Sequence, residues 1–106
     1  MPKRSANLVV ISVENGKLVV SDGIRKYEFA KESLFDFKNA ALAAIKGAPD
    51  GSSRSFTIKN SNVYGLFYSM EELNRIGFSM MFGNPSNELV GRILSEHLTK
   101  ILFALN

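Results

Sequence analysis

Asn15-Gly16 and Asp22-Gly23 constrain this chain more than any other feature. An Asn-Gly or Asp-Gly pair suits a two-residue type I′ turn, whose central residues both need positive φ. Each pair separates short β-branched or aromatic segments: residues 8–14, 17–21 and 24–29. Three antiparallel strands are therefore predicted. The register can be checked against the side chains. A two-residue turn at Asn15-Gly16 pairs Val13 with Leu18 and Ile11 with Val20. A matching turn at Asp22-Gly23 sets Leu18 against Tyr27. Val9, Ile11, Val13, Leu18, Val20, Tyr27 and Phe29 then share one face, which reads as core. A slip of one residue would scatter that set. The other face carries Ser12, Glu14, Lys17, Val19, Ser21, Ile24, Lys26 and Glu28, a mixed surface open to solvent or a partner.

The remaining chain repeats the theme. Ser33 can cap a helix, with Asp36 three residues on, and Leu34, Phe37, Ala41, Leu42 and Ile45 recur at helical spacing before a stop at Gly47. Residues 48–53, Ala-Pro-Asp-Gly-Ser-Ser, form a linker by composition. After it, residues 54–59 alternate as a strand, and Asn60-Ser61-Asn62 turns the chain. Residues 63–70 fit two readings. Val63, Leu66 and Met70 suit a helix, whereas Gly65 and the aromatics Tyr64, Phe67 and Tyr68 suit a strand. Residues 76–82 read as a strand. Residues 85–105 are predicted as the last helix, capped by Asn84, opened by Pro85, and carrying Val90, Leu94, His97, Ile101 and Leu105 on one face. Phe103 falls on its polar side with Arg92, Glu96 and Thr99, which fits either a loosely packed C-terminal end or a contact with a second subunit alongside Leu102 and Leu105.

The expected fold is therefore α+β, with two βββα repeats whose antiparallel curved sheets are each closed by a helix. Repeat one covers about residues 7–47 and repeat two about residues 54–106, within a single domain.

Bulk properties narrow the function classes. The chain has 106 residues, no cysteine and one histidine, which leaves no basis for disulfides, thiol chemistry or a histidine/thiolate metal site. No apolar run spans a bilayer, and Lys3-Arg4 is not followed by a signal-peptide core, so a cytoplasmic location and no membrane partner are expected. His97 lies on an apolar helix face, the acids are dispersed, and no nucleotide-binding or nucleophile-elbow motif occurs. The expectation is a protein without catalytic residues or cofactors. Net charge is +3, which leans toward anionic partners.

Two patches resemble the Pur (purine-rich-element-binding) family, and the order of elements is Pur/Whirly-like. Ser33-Leu34-Phe35-Asp36-Phe37-Lys38-Asn39-Ala40 resembles the start of the Pur repeat helix. Ser61-Asn62-Val63-Tyr64-Gly65-Leu66-Phe67 resembles the first hairpin of a later Pur repeat. The resemblance implies that residues 63–70 are a strand and that two repeats interlock, each helix crossing the other repeat's sheet. It further implies single-stranded DNA or RNA binding on the sheets, often with dimerisation. The chain departs from the family in the hairpin bases: the first half keeps only Lys17, and the second half has none.

Sequence-independent binding of single strands needs positive charge along the backbone and ring faces for stacking. The candidate charges are Lys17, Lys26, Lys59, Arg54 and Arg25; the candidate rings are Tyr64, Phe67 and Tyr68. Alternation places Tyr64 and Tyr68 on one face of a strand and Phe67 on the other. Lys17 also lies opposite Glu14 and Glu28, where a cross-strand pair would stabilise the sheet instead. The alternative function is a protein-binding module, an adaptor, inhibitor or structural dimer on the same scaffold.

Overall fold

The computed structural model describes residues 9–46, 53–69, 74–82 and 84–106. Strands β1 (Val10–Glu14), β2 (Lys17–Ser21) and β3 (Lys26–Ala30) form an antiparallel sheet in chain order. A 3₁₀ turn (Lys31–Ser33) leads into helix α1 (Phe35–Ile45). Strands β4 (Ser53–Ile58), β5 (Val63–Ser69), β6 (Arg75–Phe82) and β7 (Asn84–Leu94) form a second antiparallel sheet, also in chain order, and helix α2 (Ser95–Leu105) follows. The α+β class with two antiparallel sheets and two helices stands.

The first hairpin forms as its turn dipeptide dictates. Asn15 and Gly16 both have positive φ, and Ile11 pairs with Val20 and Val13 with Leu18. The second differs. Val20, not Leu18, faces Tyr27, and Leu18 faces Phe29, so the connection is four residues long. Asp22 explains the extra length. Its Oδ1 accepts the N–H groups of Ile24 and Arg25 at 2.9 and 2.7 Å, and its own N–H reaches the Arg25 carbonyl. That local network outcompetes the two-residue turn. The shift is even, so the faces are unchanged: Ile11, Leu18 and Val20 are buried, with Val9, Val13, Tyr27 and Phe29 packed beside them.

The largest correction lies in residues 84–94. They are a strand, and α2 begins only at Ser95. The second half is thus four strands and a helix, not three. A spacing of four residues is even, so it suits one face of a strand as well as one face of a helix. Leu89 and Ile93 are buried on the inner face, while Val90 and Leu94 project outward. Gly91 favours the strand twice over: it is a poor helix residue, and a Cβ there would meet the Phe78 ring and Val9. Helix α1 also begins without the expected cap. Leu34 occupies the N-cap position and makes no side-chain capping bond. Gly47 and residues 48–52 lie outside the described residues, as do residues 1–8, 70–73 and 83.

The core lies between the inner faces of the two sheets and the helices. Phe37 of α1 meets Phe56 edge-on at 5.2 Å and Phe67 at 5.5 Å between ring centroids. Tyr27 stacks on Phe82 at 3.9 Å, joining the first sheet to the second. Helix α1 packs on β4 and β5, strands of the other half. Helix α2 packs on β1, β7 and α1. His97 reaches across from α2, its Nε2–H donating to the Ile11 carbonyl over 3.1 Å. That bond gives a partner to a carbonyl on a strand at the sheet's edge.

Candidate nucleic-acid interface

Each sheet turns one face away from the core, and the two faces differ in chemistry. On the first sheet, Lys26 Nζ lies 3.2 Å from Glu14, and Lys17 Nζ lies 4.0 Å from Glu28. Both lysines expected to hold phosphates are therefore paired with carboxylates. The Glu14–Lys26 diagonal crosses the position of Val19, which is only 3% exposed although it points away from the core. Aliphatic lysine stems readily cover an apolar side chain in this way. This face is a neutralised lattice over a single valine.

The outer face of the second sheet is built differently. The register β4-β5-β6-β7 sets out three rows across it: Thr57, Tyr64, Met81, Glu88; then Ser55, Leu66, Ser79, Val90; then Ser53, Tyr68, Gly77, Arg92. Arg75 and Leu94 complete the end beyond Arg92. Tyr64 is 49% exposed and Val90 52%, while Leu66, Tyr68 and Met81 are half-buried by their neighbours. The one acid in these rows, Glu88, accepts the Ser79 hydroxyl at 2.6 Å, and Asp36 of α1 accepts the Thr57 hydroxyl at 3.0 Å. Arg92 is engaged in an interaction of its own. Rings, apolar side chains and two guanidinium groups thus share one surface that no described element covers.

Burial of Phe67 settles which rings face out. Phe67 is 1% exposed and lies in the core against Phe37 and Phe56, so it cannot stack on a ligand. Tyr64 and Tyr68 point the other way. The remaining predicted cations are not with them. Arg54 faces Phe67 across the ladder, on the helix side of β4, and lines a cleft with Asp36, Asn39 and Ala43. Lys59 sits in the turn after β4, its N–H donating to the Ser33 carbonyl, and lines a cleft with Phe35, Asp36 and Thr57. Arg25 occupies the loop before β3 and has an interaction of its own.

Arg75, Leu66, Met81, Val90 and Leu94 are the outer-face residues that sequence reasoning missed. For Val90 and Leu94 the signal was present as period-two alternation through residues 84–94, once the helical reading of that stretch is set aside. The suspected subunit contact is divided too. Leu102 and Leu105 belong to the chain's own core, and Phe103 alone of the three is exposed, at 74%.

No group of three His, Cys, Asp or Glu side chains able to hold a metal ion occurs among the described residues. None of their helices is long and apolar enough to cross a membrane. No protein-family profile matches the chain, and neither a curated protein nor a solved structure matches it.

Proposed function

We propose that this protein is a non-enzymatic module that binds single-stranded nucleic acid on the outer face of its second sheet. The observation that carries the reading is the outward placement of Tyr64 and Tyr68 on one uncovered strand. Four residues of strand put their Cα atoms about 13 Å apart, leaving room for two splayed bases with Leu66 between them. Arg75 supplies positive charge at the Tyr68 end, where Arg92 also lies, engaged in an interaction of its own. Ser53 and Ser55 line the neighbouring strand with hydroxyls for sugar and phosphate contacts, while the Thr57 hydroxyl is already donated to Asp36 at 3.0 Å. The resemblance of residues 33–40 and 61–67 to Pur repeats points the same way. The first sheet takes no part, because its lysines are paired.

The test is fluorescence anisotropy with labelled homothymidine and homouridine strands at low salt. Each phosphate neutralised on a single strand contributes about −0.7 to the log–log salt slope, so a shallow slope is expected. Absence of binding at low salt, or binding untouched by replacement of both tyrosines, would overturn the reading.

A second reading has its own support. Leu66 lies between the rings and Met81, Val90 and Leu94 extend the apolar surface beside them, and no lysine lies on the described part of this face. Aromatic residues and methionine in the centre with arginine beside them are the composition of a protein–protein contact. On that reading the same face associates with a protein, a second copy included. Phe103 would mark a further contact in a dimer.

A further inference from the structure

The outer face of α1 carries a feature that the sheet surface does not explain. Phe37, Ala40 and Ala41 are buried against the core, so Phe35, Lys38, Leu42 and Lys46 line the opposite side of the helix and its end. Phe35 is 73% exposed and Leu42 46%. Seven residues apart, they lie two turns apart on one face, about 10 Å. Lys59 joins them from the β4–β5 turn, lining one cleft with Phe35. Lys38, Lys46 and Lys59 form no ion pair with any described residue, unlike Lys17 and Lys26. Two apolar side chains at helical spacing, interleaved with lysines that no described carboxylate pairs, make an alternating apolar–basic stripe.

We infer that this stripe docks an acidic amphipathic helix of a partner protein. The partner's apolar residues would cover Phe35 and Leu42, and its carboxylates would face Lys38, Lys46 and Lys59. Apolar anchors two turns apart match the rise of a facing helix. A continuous anionic surface fits less well. Glu32 and Asp36 line the cleft beside Phe35 and would repel a phosphate backbone or a lipid headgroup layer, whereas discrete glutamates can be placed to avoid them. Leu42 moreover offers no ring for a base.

The probe is a synthetic helix-forming peptide with glutamates around a single leucine stripe. Its control is the same peptide with every leucine replaced by serine. The expected result is saturable binding of the leucine peptide to the full chain and at least tenfold weaker binding of the serine peptide. Phe35→Ser and Lys38→Glu should each weaken it tenfold or more, as removal of an anchor does. The Tyr64→Ala, Tyr68→Ala double variant should bind the peptide unchanged, which separates this surface from the nucleic-acid face. If Phe35→Ser melts early, Leu42→Gln takes its place, since half of that side chain is already in water. The inference is overturned if the leucine peptide does not bind, or if the serine peptide binds equally. It is also overturned if homothymidine or phosphatidylserine vesicles, rather than the peptide, show the dependence on Phe35.

Discussion

The ring of Tyr68 lies across Gly77 of the adjacent strand, so that a Cβ built on Gly77 would collide with three of the ring's carbons. The glycine is therefore a seat for the ring. Gly77→Ala should leave the sheet intact while swinging Tyr68 off it, because the obstructing group is the far end of a side chain. Gly65→Ala should behave differently. Its Cβ would meet the Ser79 carbonyl oxygen and the Phe56 ring, neither of which can move cheaply. Destabilisation by roughly 1–3 kcal/mol is expected there. Thermal melts of both variants, with tyrosine resonances followed by NMR, check the contrast.

Tyr64→Ala and Tyr68→Ala should each weaken single-strand binding by about 1–3 kcal/mol, the value of one stacked base. Phe67→Ala, next to Tyr68 in the chain but buried, should instead lower stability by about 3–5 kcal/mol. Anisotropy titrations beside denaturant melts separate the two effects.

Replacing Lys17 and Lys26 together with alanine should change neither binding nor its salt slope. Their charges are spent on Glu28 and Glu14 at an exposed surface, where such pairs contribute about 0–1 kcal/mol. A clear loss of affinity in anisotropy would show that the first sheet takes part after all.

Phe103→Ser should leave the melting temperature within a few degrees of the parent, since the ring lies outside the core. If two copies associate through α2, the variant's mass in light scattering should fall to that of one chain. An unchanged mass in both proteins would remove Phe103 from any dimer.

Backbone N–H bonds from Arg25, then Ile24, hold the Asp22 carboxyl below the ordinary aspartate value. A lowered folded-state pKa means that its contribution is complete above the unfolded value, near 4, and fades as pH falls through the lower folded one. The Asp22 carboxyl resonance should therefore titrate below the ordinary aspartate value. Asp22→Asn should flatten that part of the stability profile on the acid side.

Legibility from sequence followed the strength of local signals. Asn15-Gly16 fixed a hairpin because few residues tolerate its backbone, and the inward set Ile11, Leu18 and Val20 followed from it. The side taken by Tyr64 and Tyr68 was not legible, since alternation gives the pairing and not the direction; burial of Phe67 against Phe37 decides it. Residues 84–94 misled because Leu89/Ile93 and Val90/Leu94 are spaced by four, a distance shared by both periodicities. The neutralisation of Lys26 was hidden for another reason. Its partner Glu14 lies two strands away, and only the folded sheet's diagonal brings them together.

The placement of α1 on β4 and β5 has a consequence for how such a chain can be divided. A polypeptide cut within residues 47–52 would yield two pieces, each missing part of the lid over its own grease. Neither should hold its shape alone, and mixing them should restore the whole. By the same logic, two intact copies could trade their first halves across that seam, giving an intertwined pair without a single new contact.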